Sequence, residues 1–389
     1  MPSAKGMPYD TVALVLQGGG ALGAYQAGVF EGLVEAGIEP HWVAGVSIGA
    51  INAALIAGNP PAQRVERLRE FWQTVTAPPL LLPTPPAWQE AAAQGQAMAR
   101  TMLGWFEASR ALFEGQRGFF TPRVPSPLLS LDAPPDALGH YDTAPLAATL
   151  GRLVDFERLN AKGGMRLTVA AVNVRSGNYE LFDNQRGPWA GRIAAKHILA
   201  SGALPPGFAA VEIEGDYYWD GGLVSNTPLA TVLEDEPWRD TLAFQVDLWS
   251  AIGPLPRNLL DVEERAKDIR YSSRTRAVTR QLERERHLRR MLRELLAKLP
   301  PGKRMDDAWC REAAALASDK RFNVVHLIYQ EKEWDGQAKD YEFSAQSMRD
   351  HWESGLADLR RTLAHPGWLA PPEGHATSVT HDVHRDKPS

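Results

Sequence analysis

Cysteine is nearly absent from this sequence of 389 residues, in which Cys310 is the only one. A single cysteine cannot form an intrachain disulfide, and it cannot supply a thiolate-based zinc site. The ten histidines show no H-E-x-x-H or similar ligand spacing. We therefore expect no metal and no other cofactor. Residues 1–10 contain one lysine and no apolar run, so no secretory signal peptide is predicted.

An excess of positive charge is also lacking, because 42 Lys and Arg stand against 47 Asp and Glu, for a net charge of −5. Proteins whose main partner is nucleic acid are usually basic, so we expect no such partner. Two long uncharged stretches, Thr11–Phe30 and Pro40–Gln63, are interrupted by glycines and by Gln17, Asn52 and Asn59. They favour buried strand–turn–helix units over membrane spans, and a cytoplasmic protein is the default expectation.

The apolar pattern predicts an α/β fold. Val12–Leu16 (VALVL) has no alternation, which is typical of a strand buried on both faces of a parallel sheet. A glycine-rich loop, a helix over Ala24–Gly37, a strand over His41–Val46 and a helix over Ser47–Gly58 follow. This order predicts neighbouring parallel strands in a three-layer α/β/α arrangement with helical insertions. Further predicted strands are Arg166–Val174, Tyr179–Asp183, Tyr217–Asp220, Thr241–Leu248 and Asn323–Tyr329.

A serine occupies the centre of Gly45-Val46-Ser47-Ile48-Gly49, between a predicted strand and a predicted helix. A serine hydroxyl becomes a nucleophile when a base takes its proton and a sharp turn exposes it. Small residues on both sides, here Gly45 and Gly49, permit the close backbone approach of such a turn. The alternative is that Ser47 is only a helix N-cap.

The loop Gly18-Gly19-Gly20-Ala21-Leu22-Gly23 opens the preceding helix. Consecutive amides without side chains can hold an anion at a helix N-terminus. The spacing also matches a dinucleotide-binding loop, but such a site needs an acidic residue at the end of the second strand, where Gly45-Val46-Ser47 stands. We therefore favour an oxyanion hole that faces Ser47 over a nicotinamide site.

Asp220-Gly221-Gly222 follows a predicted strand. A carboxylate at a strand end, followed by two glycines, can approach a serine on a neighbouring strand. Taken by itself, the tripeptide is better explained by an ordinary Asp-Gly turn.

Together these motifs resemble the patatin-like phospholipase family, from about Val12 to Pro228. Ser201-Gly202-Ala203-Leu204-Pro205 and Asn226-Thr227-Pro228 are similar to two further blocks of that family, and Tyr341–Leu369 is similar to a C-terminal extension of a bacterial subgroup. The resemblance implies a lipid ester hydrolase with a Ser47–Asp220 dyad, an acyl-enzyme, and an oxyanion hole formed by Gly18, Gly19 and Gly20. Gly23, Gly45, Gly49, Gly221 and Gly222 would support these groups.

Two alternatives to the dyad enzyme stay open at this stage. One is a Ser–Asp–His triad in which His326 is the base, although its apolar strand favours a core histidine. The other is a lipid-binding protein on the same scaffold that docks on a membrane or granule surface. Phospholipid, lysophospholipid, neutral glyceride and polyester are equally compatible substrates, and the oligomeric state is not readable.

The domain prediction assigns residues 8–250 to the patatin-like catalytic domain, with a Pro- and aromatic-rich insertion at about 76–140. Within the catalytic domain, the stretch Phe71–Ala99 carries one charged residue, Glu90. This stretch could be a lid, a pocket wall or an irregular subdomain. Residues 311–370 are expected to pack on the core, and 371–389 to be disordered.

Residues 251–310 are predicted to be a basic helical segment. Arg265–Arg304 contains 14 Lys and Arg against four Asp and Glu, with leucines at helical spacing. Such a helix can dock peripherally on an anionic membrane, or it can be a surface helix with Arg–Glu pairs. Both interpretations stay open.

Overall fold

The computed structural model describes residues 7–77, 97–129, 132–302, 307–332, 334–336 and 338–384, together with residues 84, 87–88, 90 and 94. Most of the 78–96 stretch, on which the lid prediction falls, therefore lies outside the described residues.

Nine of the described strands form one sheet, and two short strands form a separate hairpin. The sheet contains β1 (Thr11–Leu16), β2 (Trp42–Gly45), β5 (Arg166–Asn173), β6 (Tyr179–Asp183), β7 (Val211–Ile213), β8 (Asp216–Asp220), β9 (Thr241–Asp247), β10 (Phe322–Ile328) and β11 (Ser378–Asp382). The hairpin pairs β3 (Thr121–Pro122) with β4 (Tyr141–Asp142).

The described α-helices surround this sheet. They are α1 (Ala24–Glu35), α2 (Ile48–Ala57), α3 (Arg64–Val75), α4 (Ala97–Glu114), α5 (Ala144–Leu153), α6 (Phe156–Asn160), α7 (Ala195–Ser201), α8 (Leu229–Leu233), α9 (Leu259–Tyr271), α10 (Thr275–Lys298), α11 (Ala308–Leu316) and α12 (Ala345–Leu363).

The sheet is mainly parallel, as the uninterrupted apolar strands predicted. Its order is β11-β10-β9-β1-β2-β5-β8-β7, with β6 also paired to β5. The strands from β11 to β5 are parallel to one another, whereas β6, β7 and β8 join antiparallel. The carboxyl ends of β1, β2, β9 and β10 therefore lie along one edge, where the loops that follow them meet.

Alternate residues of β1 enter two separate hydrophobic cores. Val12, Leu14 and Leu16 join the larger core, which contains residues of α1, α2, α3 and α12. Ala13 and Val15 join a smaller core with residues of α8 and α10 on the other face. Since both faces of β1 are covered, the fold is the three-layer α/β/α arrangement that the sequence predicted.

The structure corrects two local predictions. The sequence Trp189–Ala200 predicts one helix, whereas the structure has a 3₁₀ turn at Gly187–Trp189 followed by α7. The tail expected to be disordered contributes β11, which pairs in parallel with β10, while residues 385–389 lie outside the described residues. Without β11, strand β10 would be the edge of the sheet. Pairing with β11 satisfies its backbone groups, so β11 is ordered without a strong apolar pattern of its own.

The basic segment folds as two helices, α9 and α10, and they are followed by α11. The C-terminal extension supplies α12, which lies directly against α1. Among the described residues, none of the helices combines the length and the apolar character needed to cross a membrane.

Candidate active site

Strand register brings the two predicted catalytic residues to the same level of the sheet. Gly45 of β2 pairs with Val169 of β5, and Ala171 of β5 pairs with Asp220 of β8. Ser47, two residues beyond Gly45, therefore reaches the level at which Asp220 ends its strand. Across this gap the Ser47 hydroxyl and the Asp220 carboxylate are close enough for hydrogen bonding with Ser47 to lower the pKa of Asp220.

Ser47 lies on a strained turn between β2 and α2. Its backbone has φ 56° and ψ −124°, a conformation that non-glycine residues rarely adopt and that is concentrated at functional sites. A Cβ at Gly49 would stand 2.3 Å from the Leu16 carbonyl oxygen, and one at Gly45 would stand 2.3 Å from the Gly49 carbonyl oxygen. Both positions of the motif are therefore restricted to glycine. The Ser47 amide donates to the carbonyl and hydroxyl oxygens of Ser201, each at 3.1 Å.

Asp220 is a buried carboxylate at the end of β8, with 2% of its surface exposed. Burial raises the pKa of Asp220 from 3.8 to about 6, while hydrogen bonds from the Ser47 hydroxyl and the Gly222 amide lower it. The Gly222 amide donates to Oδ1 at 2.7 Å. The carboxylate is therefore oriented at one oxygen and basic enough to accept a proton near neutral pH.

The glycine loop lies beside Ser47, but its three amides are not equivalent. The Gly18 amide donates to the Asn226 carbonyl oxygen at 3.2 Å, so it is not free for an anion as the sequence prediction required. Gly20 has φ 55°, and a Cβ there would lie 2.0 Å from the Asp340 carbonyl oxygen. Within the described residues the amides of Gly19 and Gly20 have no acceptor. The available donors are thus those of Gly19 and Gly20.

Three further motif glycines pack around the same centre. A Cβ at Gly23, Gly221 or Gly222 would come within 3.0 Å of another residue. The atoms approached belong to Ile48, Ala170 and Asn226 respectively. These glycines let helix α2, strand β5 and the loop after β8 approach the site closely.

Two amide side chains, those of Gln17 and Asn226, fix the glycine loop, a role that the sequence analysis did not identify. Gln17 accepts hydrogen bonds from the amides of Leu248 and Trp249 at 2.6 and 2.9 Å, and donates to the Tyr271 carbonyl at 3.0 Å. Asn226 donates to the carbonyls of Gly18 and Tyr271, both at 3.0 Å. The ends of β1 and β9 and the end of α9 are thereby held together. The fully buried Gln17 at a strand end was the available signal, because a buried amide needs partners.

Ser47, Asp220 and the glycine loop open into a cavity of about 310 Å³, here called the catalytic cavity. Its wall is mainly apolar. Leu112, Phe119 and Phe120 come from the predicted insertion, and Ile51, Tyr141, Leu146, Leu199, Phe208, Trp249 and Phe343 come from elsewhere in the fold. The described part of the insertion therefore contributes to the wall of the cavity. Such a space can bind a hydrocarbon chain beside the serine and shield it from water.

His326 is a core residue on β10, with 5% of its surface exposed. Its Nε2 lies 2.6 Å from Asp247 Oδ2 and 3.3 Å from Gln245 Nε2. It is not among the residues that line the catalytic cavity. The structure therefore gives His326 a carboxylate partner of its own and no contact with Ser47.

Ser47 thus lies on a strand–helix turn, beside a buried carboxylate and inside an apolar cavity, which is an arrangement typical of activated serine nucleophiles. A family model described as patatin-like phospholipase matches residues 14–233, more than half of the chain. A second model, described as patatin phospholipase, matches residues 269–375. The chain belongs to the patatin-like phospholipase family.

Individual relatives match only part of the chain. Patatin-like phospholipase domain-containing protein 6 of Homo sapiens is 44% identical over 69 residues, which is 18% of this chain and 5% of that protein. Putative patatin-like phospholipase domain-containing protein M110.7 of Caenorhabditis elegans is 36% identical over 63 residues, or 16% and 6% of the two chains. The matches thus span about a twentieth of these relatives. VipD from Legionella pneumophila aligns with TM-score 0.35 and 14% identity over 97% of this chain and 72% of that chain.

Proposed function

We propose that this protein cleaves lipid carboxylic esters as a serine acylhydrolase with a Ser47–Asp220 dyad. The observation that carries the proposal is the common position of Ser47, the buried Asp220 carboxylate and the glycine loop in the lining of one apolar cavity. A carboxylate of ordinary pKa is a weak base at neutral pH. Burial raises the pKa of Asp220 to about 6, which makes it better able to accept the Ser47 proton. The apolar catalytic cavity supports a lipid acyl chain as the group beside the serine.

The proposed reaction has two steps. In the first, Asp220 takes the Ser47 proton while Oγ attacks the ester carbonyl, and the alcohol leaves with that proton. In the second, Asp220 takes a proton from water, which attacks the acyl-enzyme, and then returns that proton to Ser47 Oγ as the fatty acid is released. The amides of Gly19 and Gly20 would donate to the negatively charged oxygen in both steps, where such donors typically contribute a few kcal/mol.

A triad with His326 is the weaker alternative. Its Nε2 is engaged by Asp247, whereas the side-chain partner of Ser47 is Asp220. In a triad the base must lie within hydrogen-bond reach of the nucleophile. We therefore assign His326 to the polar network that joins β9 and β10.

A fluorophosphonate probe tests the proposal directly. We expect covalent labelling of the folded protein, with the adduct located at Ser47 by peptide mass spectrometry, because the probe reacts only with an activated serine. Ser47→Ala should not be labelled, and His326→Gln should be labelled as the parent is. Absence of labelling in folded parent protein would contradict the enzyme assignment. Loss of labelling in folded His326→Gln would favour the triad.

We further propose that α10 docks the enzyme on an anionic membrane. Leu288, Met291 and Leu295, at helical spacing, are 60%, 44% and 55% exposed and form an apolar stripe. Arg284 and Lys298, four and three residues beyond the ends of the stripe, are exposed cations. An exposed apolar stripe flanked by cations suits a surface of acyl chains and anionic headgroups.

Other cations of α10 already have protein partners, so they do not support this proposal. Arg286 is buried, lies over the Trp238 ring at 4.3 Å and donates to the Leu233 carbonyl at 2.7 Å. Burial lowers the pKa of Arg286 to about 10. Arg289 and Arg290 form ion pairs within the helix at 2.6 and 3.1 Å. The apolar stripe, rather than the net charge of Arg265–Arg304, is therefore the feature to test.

Changing Leu288, Met291 and Leu295 together to serine should weaken binding to phosphatidylglycerol vesicles by about tenfold or more, because the apolar contact with the acyl region is lost. Vesicle sedimentation measures this binding. Val34→Ser with Leu181→Ser removes exposed apolar side chains elsewhere and is the matched control. Equal vesicle binding by the triple variant and the control would rule out the stripe as the docking face.

A further inference from the structure

A second cavity adjoins the catalytic cavity. It has a volume of about 430 Å³ and is here called the arginine cavity. The two cavities share a wall formed by Leu204, Pro205, Gly222, Asn226 and Tyr271. The arginine cavity therefore lies directly beside the space in which the ester of a bound substrate would reach Ser47.

The charges of the arginine cavity have one sign. Among the described residues that line it, the charged side chains are Arg270 and Arg274. Both are exposed, and neither forms an ion pair with a carboxylate of the described chain. The catalytic cavity, in contrast, is lined by Asp220 and Asp340. Of the described residues that line the two cavities, the cations are Arg270 and Arg274, and both line the arginine cavity.

Arg270 is linked to the catalytic centre through Tyr271. The Arg270 guanidinium and the Asp220 carboxylate are both close enough to Tyr271 to act on the pKa of its hydroxyl. Burial raises the pKa of Tyr271, and the Asp220 charge adds to this rise. The Tyr271 ring packs on Trp249 with centroids 5.5 Å apart. Arg270 is therefore positioned beside the shared wall.

The backbone that carries the two arginines is fixed by buried side chains. The Tyr271 carbonyl accepts hydrogen bonds from Gln17 and Asn226, both at 3.0 Å. Ser273 donates to the Asp247 carboxylate, and Thr275 accepts from Gln245 at 2.6 Å. Binding an anion would then require ordering of the two arginine side chains but not of the loop, which reduces its entropic cost.

We propose that the arginine cavity binds the phosphate of a net-anionic lipid headgroup, and so selects anionic phosphate esters over zwitterionic and neutral ones. This inference rests on the proposed hydrolase function and names its substrate class. Guanidinium groups bind phosphate oxygens in bidentate fashion. The described lining of the arginine cavity contains no acidic side chain that could bind a choline ammonium. An arginine beside the bound phosphate would instead repel that cation.

The test compares three esters with the same short acyl chain, each below its aggregation concentration so that surface binding cannot contribute. They are a lysophosphatidate, a lysophosphatidylcholine and a monoacylglycerol. We expect the unchanged enzyme to have a higher kcat/KM for the lysophosphatidate than for the other two. In Arg270→Gln with Arg274→Gln, the ratio of kcat/KM for lysophosphatidate to that for monoacylglycerol should fall by about tenfold or more.

Arg276→Gln with Arg280→Gln is the matched control, because these exposed arginines of α10 lie outside the lining of the cavity. The control should keep the preference. Equal kcat/KM values for lysophosphatidate and lysophosphatidylcholine in the unchanged enzyme would overturn the inference and leave the hydrolase function standing. A preference retained by the Arg270 and Arg274 variant would overturn it in the same way.

Binding to Ser47→Ala protein, measured by calorimetry, separates the two proposals. Lysophosphatidate should bind, and the binding should be lost when Arg270 and Arg274 are also changed. If no ester is hydrolysed but this binding is observed, the hydrolase function fails and the headgroup site stands; if the ester does not bind, the headgroup site is refuted. Inorganic phosphate should bind more weakly than lysophosphatidate, and equal or tighter binding would make the cavity a free-phosphate site.

Discussion

Asp220→Asn is expected to lower kcat for a soluble p-nitrophenyl ester by about a thousandfold, because asparagine keeps the shape of the side chain but cannot accept the Ser47 proton. The hydrogen bond from the Gly222 amide, at 2.7 Å in the parent, can be kept by the asparagine oxygen. Asp216→Asn, at the start of the same strand, is the matched control. A folded Asp220→Asn protein with activity within about tenfold of the control would refute the dyad.

The same carboxylate sets the expected pH dependence. Because burial raises the pKa of Asp220 to about 6, kcat/KM for an uncharged ester should rise with pH, reach half its maximum near pH 6 and level off above it. A profile that instead continues to rise above pH 8 would assign the base to another group.

As the pH rises from about 4 to 6, the free energy of unfolding should fall while the activity rises. A carboxyl with a folded-state pKa above its unfolded value destabilises the protein once it ionises, so the penalty is absent below pH 3.8, grows between 3.8 and about 6, and is constant above that. The difference between 3.8 and about 6 corresponds to about 3 kcal/mol. Asp220→Asn should therefore be more stable than the parent at pH 8 and equal to it at pH 3.5, as measured by urea unfolding. Loss of activity with a gain in stability would separate a catalytic role from a packing role.

Local sequence patterns predicted where the glycine loop and Ser47 lie in the fold, because both lie next to regular elements. The uninterrupted apolar strand Val12–Leu16 and the Gly45–Gly49 motif place the glycine loop and Ser47 at one sheet edge, whichever helices surround them. The position of Asp220 was harder to predict from local patterns, because its strand β8 pairs antiparallel with β5. The patatin-like resemblance supplied that information.

What the sequence did not predict depends on contacts between distant segments. The Gly18 amide is occupied by Asn226, which lies 208 residues farther along the chain. The strand Ser378–Asp382 forms because β10 offers an open edge, and its polar sequence carries no apolar signal. In the sequence, Arg270 is one of many cations in a basic helix. Its position beside the catalytic cavity depends on the hydrogen bonds from Gln17 and Asn226 that fix the Tyr271 carbonyl.

The C-terminal extension supports the site through one close helix crossing. A Cβ at Gly28 of α1 would lie 1.9 Å from the Trp352 carbonyl oxygen of α12, and a Cβ at Gly355 would lie 2.0 Å from the Tyr25 carbonyl oxygen of α1. The Tyr25 hydroxyl donates to Asp358 at 2.8 Å beside this crossing. Because α1 begins where the glycine loop ends, the crossing also holds the loop in place.

Gly355→Ala is therefore expected to destabilise the protein by about 3 kcal/mol, since one added methyl group forces two helix backbones apart in a packed core. The midpoint of urea unfolding measures this change. Gly151→Ala is the matched control, because Gly151 is also helical but nothing lies within 4 Å of its added Cβ. The control should gain roughly 0.5–1 kcal/mol from helix propensity. Two variants with equal stability would show that α1 and α12 do not meet at backbone contact, and the support of the glycine loop by α12 would then lose its basis.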